Sequence, residues 1–173
     1  FPKDYKNDEI NDSKKLSEAK RNYLFELIKE KALAYCVCVI DPETIDKINI
    51  LESSRLGMTN AVKGLNHDVD MIVTDCMKLY DFPGVPVFDL VKGDAKCLCI
   101  AAASIIAKVS RDHIMRELAK QYPNYGFEVH KGYGTKKHLD ALNKYGPIKK
   151  IHRFSYKPVL RSTYQQLNLF EDL

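Results

Sequence analysis

Two aspartates, Asp75 and Asp94, stand where the sequence could place catalytic carboxylates. Asp75 ends a short apolar run, residues 71–75, and Asp94 follows the next such run, residues 87–91. Because functional groups of α/β proteins gather where the strands of a sheet end, we expect the two carboxylates to meet. Carboxylate oxygens suit Mg²⁺ or Mn²⁺, and a pair of such ions about 4 Å apart assists phosphodiester hydrolysis. The alternative is that both are turn or capping residues, since two carboxylates are too few to hold such an ion pair.

The charge of the chain is unevenly distributed. Between residues 130 and 161 it has nine Lys or Arg residues against one acid, Asp140, whereas the net charge of the whole chain is only +4. The basic residues are Lys131, Lys136, Lys137, Lys144, Lys149, Lys150, Arg153, Lys157 and Arg161. Such a one-sided bias, interleaved with tyrosines and a phenylalanine, favours a polyanionic partner such as nucleic acid. The alternative is an ordinary solvated surface.

Length and composition limit the class of protein. With 173 residues, 45% of them hydrophobic, the chain is long enough for one well-buried domain. It contains no apolar stretch long enough to cross a bilayer, and its first residues lack the apolar centre of a signal peptide. Four of its five cysteines form Cys-x-Cys pairs, a spacing that fits reduced thiols better than a structural zinc site. We therefore expect a cytoplasmic monomer that does not bind membranes.

The elements that must position these residues alternate between helix and strand. Ser17 is a candidate N-cap for a helix that runs to Ala32, and Asp41 is one for a helix that opens on Pro42. We predict strands over residues 34–40, 71–75 and 87–91, and helices after Ser17, after Asp41, over 50–65, after Lys96 and over 135–145. This alternation predicts an α/β protein with a mixed sheet.

The longest predicted helix, which follows residue 96, should bury one face. Ile100, Ala103, Ala107, Ile114 and Leu118 recur there at helical spacing. We expect these five side chains to form its inner surface.

Five segments, taken in order, resemble the ribonuclease HII (type 2 ribonuclease H) family, and together they cover nearly the whole chain. They are Asp-Ser-Lys-Lys-Leu-Ser at 12–17, Val-Thr-Asp at 73–75, Lys-Gly-Asp-Ala-Lys at 92–96, the helix segment 102–112, and His-Lys-Gly-Tyr-Gly-Thr-Lys at 130–136. The resemblance implies a ribonuclease H-like mixed sheet flanked by helices over residues 1–160, with a basic, helical C-terminal region. Residues 161–173 would form a tail.

The resemblance also implies a reaction and roles for single residues. The reaction is two-metal endonucleolytic cleavage, with Mg²⁺ or Mn²⁺, of RNA in an RNA·DNA hybrid or on the 5′ side of ribonucleotides embedded in duplex DNA. Asp75 and Asp94 would be catalytic metal ligands, and Tyr133 would pack against the sugar and sense the ribonucleotide junction. Phosphate contacts would come from Ser13, Lys14, Lys15 and Lys96. For these four residues, solvated surface polarity is the rival interpretation.

One feature of the family has no counterpart in this sequence. The Asp-Glu-x-Gly-Arg-Gly segment, which supplies two of the family's four acids, is missing, and Asp4, Asp8 and Glu9 lack its glycine frame. We therefore expect the domain to be incomplete at its N-terminus. A non-catalytic nucleic-acid-binding fragment is the alternative to an active nuclease.

The last residues contain a separate motif. Gln166, Leu167, Leu169 and Phe170 resemble a bacterial sliding-clamp-binding peptide, in which apolar anchors enter a groove and Gln fixes the register. A clamp-tethered interaction module is therefore a further hypothesis. The alternative is a terminal helix that packs its Leu and Phe side chains onto its own domain.

Overall fold

Residues 1–163 are described by the computed structural model, and they divide into two units with separate hydrophobic cores. The first unit comprises Phe1–Cys38 and Arg55–Ser110, and the second comprises Val39–Ser54 and the described residues from Arg111 onward. Among the described residues, no helix is long and apolar enough to span a membrane. The boundary predicted at residues 160–161 stays a prediction.

Helix α1, Glu18–Lys31, provides one side of the core of the first unit. Ser17 caps it as predicted, because its Oγ accepts a hydrogen bond of 3.2 Å from the Lys20 amide. Leu24 and Ile28 are fully buried against the N-terminal half of the long helix α3, Leu98–Gln121. The buried side chains of this core are Ile10, Leu24, Ile28, Ala101, Ala102, Ile105, Ile106 and Val109.

The buried face of α3 differs from the predicted one. Ile100 is buried as expected, but Ala103 and Ala107 are exposed, and Ile114 is 40% exposed. The first half of this helix is apolar nearly all round, so its periodicity allows more than one inner face. Packing against α1 selects the face that carries Ala101, Ala102 and Ile105.

Two predicted strands form and pair in parallel. β1 is Ile72–Asp75 and β2 is Val87–Leu90, with Ile72 opposite Val87 and Asp75 opposite Leu90. Parallel pairing places the carboxyl ends of both strands at one edge. A single turn of 3₁₀ helix, Gly93–Ala95, follows β2 and precedes α3.

The third predicted strand, residues 34–40, is a wrong prediction. Side chains in this segment alternate between exposed and half-buried, but it forms no hydrogen-bonded ladder in the described part of the chain. Leu33 and Val39 are 59% and 67% exposed. The α/β class is confirmed, but the described sheet has two parallel strands and is not mixed. A strand needs a partner for its backbone groups, and residue preference alone does not supply one.

Helix α2, Pro42–Lys63, is two predicted helices joined end to end. Asp41 caps the first, accepting from the Thr44 amide at 2.8 Å, and this bond lowers the pKa of the Asp41 carboxyl. Asn49 interrupts the helix with a φ of 68°. Its Oδ1 then accepts from the amides of Leu51 and Glu52 and caps the second part.

The C-terminal part of the second unit is helical, as predicted for the basic region. Helix α4 is Phe127–His130, and α5 is Lys136–Tyr145, which begins at the N-cap Thr135 and ends at Gly146. Residues 157–163 are also helical. The core of this unit consists of Tyr125, Phe127, Ala141, Leu142 and Val159.

Candidate active site

The carboxylate of Asp75 is tied to the segment that carries Asp94. Asp75 is exposed at the end of β1, and its Oδ1 accepts a hydrogen bond of 3.0 Å from the backbone amide of Gly93. Asp94 is the next residue and is half-buried in the 3₁₀ turn. The two acids predicted from sequence are therefore held in adjacent segments beyond the same strand edge. Lys96 is exposed two residues further along.

Glycine at position 93 allows the backbone amide to approach the Asp75 carboxylate, because the surroundings have no room for a side chain there. A Cβ added there would lie 2.5 Å from Cδ1 of Ile100 and 3.4 Å from the carbonyl oxygen of Thr74. The glycine is buried, so neither neighbour can move into solvent. Sequence reasoning quoted Gly93 only as part of a motif and missed its packing role.

Replacing Gly93 with alanine should force the acidic segment away from β1. Overpacking of this kind typically costs about 1–3 kcal/mol in the free energy of unfolding. Urea denaturation of Gly93→Ala beside wild type measures the cost. Gly134→Ala is a matched control, because a Cβ at Gly134 meets only the Tyr156 hydroxyl at an ordinary 3.5 Å. Equal stability of the two variants would contradict the packing argument.

The donor type at this edge suits a divalent cation, but the number of donors does not. Carboxylates are the ligands that Mg²⁺ and Mn²⁺ take, and Asp75 and Asp94 provide two. Across residues 1–163, however, no group of three or more His, Cys, Asp or Glu side chains is placed to hold a metal ion. The residues that the structure describes therefore do not form a complete metal site.

The loop at residues 12–17 is held by three hydrogen bonds within the first unit. Ser13 is buried, and its Oγ lies 2.7 Å from Oγ of Ser104 on α3. The Arg21 guanidinium donates to the carbonyl oxygens of Ser13 and Leu16. Ser13 thus points into the protein and anchors the loop, whereas sequence reasoning placed it beside the phosphate. Its predicted contact with substrate stays a prediction.

Lys14 and Lys15, in contrast, are exposed on this fixed loop. The Lys14 amide donates to Oδ1 of Asp12 at 2.9 Å, which forms a tight turn under the two side chains. Two cations on an ordered turn can contact phosphates without first paying the entropy of ordering a flexible loop.

Tyr133 lies in the second unit and presents its ring to solvent. It is 57% exposed, and the guanidinium carbon of Arg111 lies 4.8 Å from its ring centroid. Gly132, with a φ of 78°, turns the chain just before it, and a Cβ there would lie 3.1 Å from Cε of Met115. Sequence reasoning missed the contact of Arg111 with Tyr133. No local pattern signals this contact, because the two residues are distant in sequence.

The predicted site residues are thus distributed over both units. Asp75, Asp94 and Lys96 follow the strand ends of the first unit, which also carries the loop of Ser13, Lys14 and Lys15, whereas Tyr133 belongs to the second. The predicted clamp-binding residues Gln166, Leu167, Leu169 and Phe170 lie outside the described residues.

A comparison of folds gives the class. The crystal structure of the ribonuclease H2 from Pyrococcus horikoshii OT3 superimposes with a TM-score of 0.76, covering 90% of this chain and 81% of that one, at 22% sequence identity. The protein therefore has a type 2 ribonuclease H fold.

Sequence comparison gives the family. The family model described as ribonuclease HII matches residues 3–159. The ribonuclease HII of Endomicrobium trichonymphae is 52% identical over 159 residues, and that of Acholeplasma laidlawii is 50% identical over 161. These matches cover 92% and 93% of this chain and 75% and 78% of those proteins. The ribonuclease HII of Bacillus cytotoxicus is 48% identical, over 57% of its own length. The chain belongs to the ribonuclease HII family, whose members are ribonuclease H endoribonucleases.

Proposed function

We propose that this chain hydrolyses the RNA strand of RNA·DNA hybrids and cuts on the 5′ side of ribonucleotides embedded in duplex DNA. The observation that carries the proposal is the bond between the Asp75 carboxylate and the Gly93 amide, which keeps two acids beyond one strand edge in a member of this family. Carboxylates held in this way suit metal-assisted phosphodiester hydrolysis.

Mg²⁺ or Mn²⁺ is the proposed cofactor. Asp75 and Asp94, together with acids beyond these two, would hold a pair of these ions. The bound pair would activate water and stabilise the leaving oxygen. The protein's own contribution at this edge is the fixed position of the Asp75 carboxylate.

The proposed substrate contacts come from both units. Lys14, Lys15 and Lys96 would bind phosphates, and Tyr133 would pack on the sugar beside the 2′-hydroxyl, which is the group that distinguishes RNA from DNA. The basic region supports a polyanionic substrate because most of its cations are exposed. The exposed cations are Lys136, Lys137, Lys144, Lys149, Lys150, Lys157 and Arg161.

Phosphate contacts by the loop at residues 12–17 predict a change in salt dependence. Each of Lys14→Ala and Lys15→Ala should reduce the slope of log affinity against log salt by about 1 and weaken binding to hybrid and to DNA alike. Fluorescence anisotropy titrations over a salt series measure the slope. Lys120→Ala is the control, since this exposed lysine pairs with Glu117 on α3. An unchanged slope would favour plain solvated charge.

The function itself is tested by cleavage of an end-labelled DNA duplex that contains one ribonucleotide. The purified chain is assayed with Mn²⁺, with Mg²⁺ and with a chelator, and an all-RNA strand paired with DNA serves as the second substrate. Metal-dependent nicking on the 5′ side of the ribonucleotide is expected. A folded chain that neither binds nor nicks either substrate would contradict the proposal.

A non-catalytic nucleic-acid-binding fragment is the second candidate. It is favoured by the missing third metal donor among residues 1–163. In the same assay it predicts hybrid binding with no nicking under any metal condition.

The proposed partner other than nucleic acid is the bacterial sliding clamp. Deleting residues 166–173 is expected to abolish clamp binding, measured by surface plasmon resonance, while hybrid binding survives. Loss of both would indicate that the segment belongs to the fold.

We also propose that the protein works in the cytoplasm as a monomer, in keeping with its five unpaired cysteines.

A further inference from the structure

Three histidines of the second unit are buried together beneath the Tyr133 loop, and the proposed chemistry uses none of them. His130, His138 and His152 are each 6% exposed. The rings of His130 and His138 stack with centroids 4.4 Å apart, and all three rings pack around Phe127. Their polar nitrogens nevertheless all have partners.

The hydrogen bonds fix which nitrogen of each ring carries a proton. Nδ1 of His152 lies 2.9 Å from the Ile148 amide, which can only donate, so the proton of His152 is on Nε2. Nδ1 of His138 lies 3.0 Å from the Tyr133 carbonyl oxygen, which can only accept, so the proton of His138 is on Nδ1. The remaining contact, 3.2 Å between the two Nε2 atoms, then has one donor, His152, and one acceptor, His138.

His130 has an equally unique assignment. Its Nδ1 accepts from the Gly132 amide at 3.1 Å, and its Nε2 donates to the Tyr125 carbonyl oxygen at 2.7 Å. In each ring one nitrogen donates and the other accepts, so a second proton on any of them would set two N–H groups against each other.

This network ends on the backbone of Tyr133. The Tyr133 amide donates to the His130 carbonyl oxygen at 2.9 Å, and the Tyr133 carbonyl oxygen accepts from both His138 and the Thr135 amide. The backbone of an exposed residue is thus held through buried groups, while its ring lies against Arg111.

We propose that His138, with its tautomer fixed by His152, is a positioning residue that holds Tyr133 in the orientation required for selecting RNA-containing substrates. This role rests on the proposed function, in which the Tyr133 ring contacts the sugar. An apolar residue would fill the same volume as His138 but leave the Tyr133 carbonyl without this bond and the His152 Nε2 proton without an acceptor.

Two amide substitutions separate the two bonds of His138. His138→Asn places an amide N–H where Nδ1 was, so it keeps the bond to Tyr133 and loses the bond to His152. His138→Gln places its oxygen where Nε2 was, so it keeps His152 and loses Tyr133. Each variant keeps one of the two buried hydrogen bonds of His138 and loses the other.

The readout is the ratio of dissociation constants for a fluorescein-labelled RNA·DNA hybrid and a DNA duplex of the same sequence. Tyr133→Ala should lower the preference for the hybrid by about tenfold, the scale of one lost stacking contact. His138→Gln should approach that loss, and His138→Asn should stay near wild type. A purely structural role predicts equal losses for Gln and Asn, which would overturn the proposal.

The same substitutions in the Tyr133→Ala background complete the test. Because His138 acts through Tyr133, His138→Gln should cause no further loss of preference there. A further loss of equal size would overturn the positioning role. Nitrogen-15 NMR of the wild-type histidines should show His138 protonated on Nδ1 and His152 on Nε2, and the reverse tautomers would overturn it too.

Failure of this inference is distinguishable from failure of the proposed function. A folded chain that binds no hybrid overturns both. A chain that binds or cleaves the hybrid but shows no difference between the two His138 variants overturns only the positioning role.

Discussion

Asp75→Asn is expected to lower metal-dependent cleavage of the hybrid by at least about a hundredfold, the scale seen when one electrostatic contact that stabilises a transition state is removed. The amide oxygen of Asn can still accept from the Gly93 amide as the Asp75 carboxylate does, so the acidic segment should stay in place. What is lost is the negative charge with which the Asp75 carboxylate would attract a divalent cation. Initial rates over a series of Mn²⁺ concentrations measure the effect.

A control with the same change of charge accompanies it. Asp89→Asn alters an exposed carboxylate on β2, opposite Thr74 in the sheet, and should leave cleavage near the wild-type rate. Hybrid affinity measured without metal should be unchanged or slightly higher in both variants, because each loses one negative charge. Cleavage by Asp75→Asn at the wild-type rate would remove Asp75 from the catalytic site.

Acidification between pH 6.5 and about pH 4 is expected to destabilise the protein strongly. Burial, and to a smaller extent the neighbouring His138, lower the pKa of His152 from 6.5 to about 4. Burial also lowers the pKa of His138. The unfolded chain therefore binds protons on these two histidines from about pH 6.5 downward, whereas the folded chain does not. The free energy of unfolding consequently decreases as the pH is lowered.

The neighbouring titratable groups do not reverse this trend. The third histidine, His130, and the phenol of Tyr125 face the same cluster, and burial raises the pKa of Tyr125, away from the acid range. Asp41 and Asp46 also have lowered pKa values. The stability that these two carboxylates contribute is lost only below their ordinary pKa of 3.8, which lies outside the range of pH 6.5 to about 4.

Urea denaturation at pH 7.5, 6 and 5 measures the loss of stability, and His152→Asn tests its origin. The Asn oxygen can accept from the Ile148 amide in place of Nδ1, so the variant keeps that bond but has no proton to gain. Its stability should depend less on pH than that of wild type. His67→Gln, at an exposed position, should match the wild-type pH dependence. An equal pH dependence in His152→Asn and wild type would contradict the assignment to the cluster.

Local hydrogen bonds explain why many elements could be predicted from the sequence. The N-caps Ser17, Asp41 and Thr135 satisfy amides three residues further on, so both partners lie within one short segment. The strand that ends at Asp75 and its partner, residues 87–90, are short apolar runs between turns, and their assignment was also correct.

Contacts between distant segments explain what could not be predicted. Residues 34–40 have the composition of a strand but no ladder partner in the described chain, and the apolar first half of α3 could bury either of two faces. The inward direction of Ser13 depends on Ser104, a residue of another element. For α3 and for Ser13 the deciding partner lies far away in sequence.

The sequence by itself determined the family, the α/β class, the capped helices and the two acids after the strand ends, because these depend on residue types and short spacings. Only the tertiary structure decided how the acidic segment is tied to β1 by Asp75, that a side chain at position 93 would clash with Ile100, and which nitrogen of each buried histidine carries its proton. Those features depend on donors and acceptors that meet only when the chain folds, since a side chain's protonation and orientation follow from the groups that surround it.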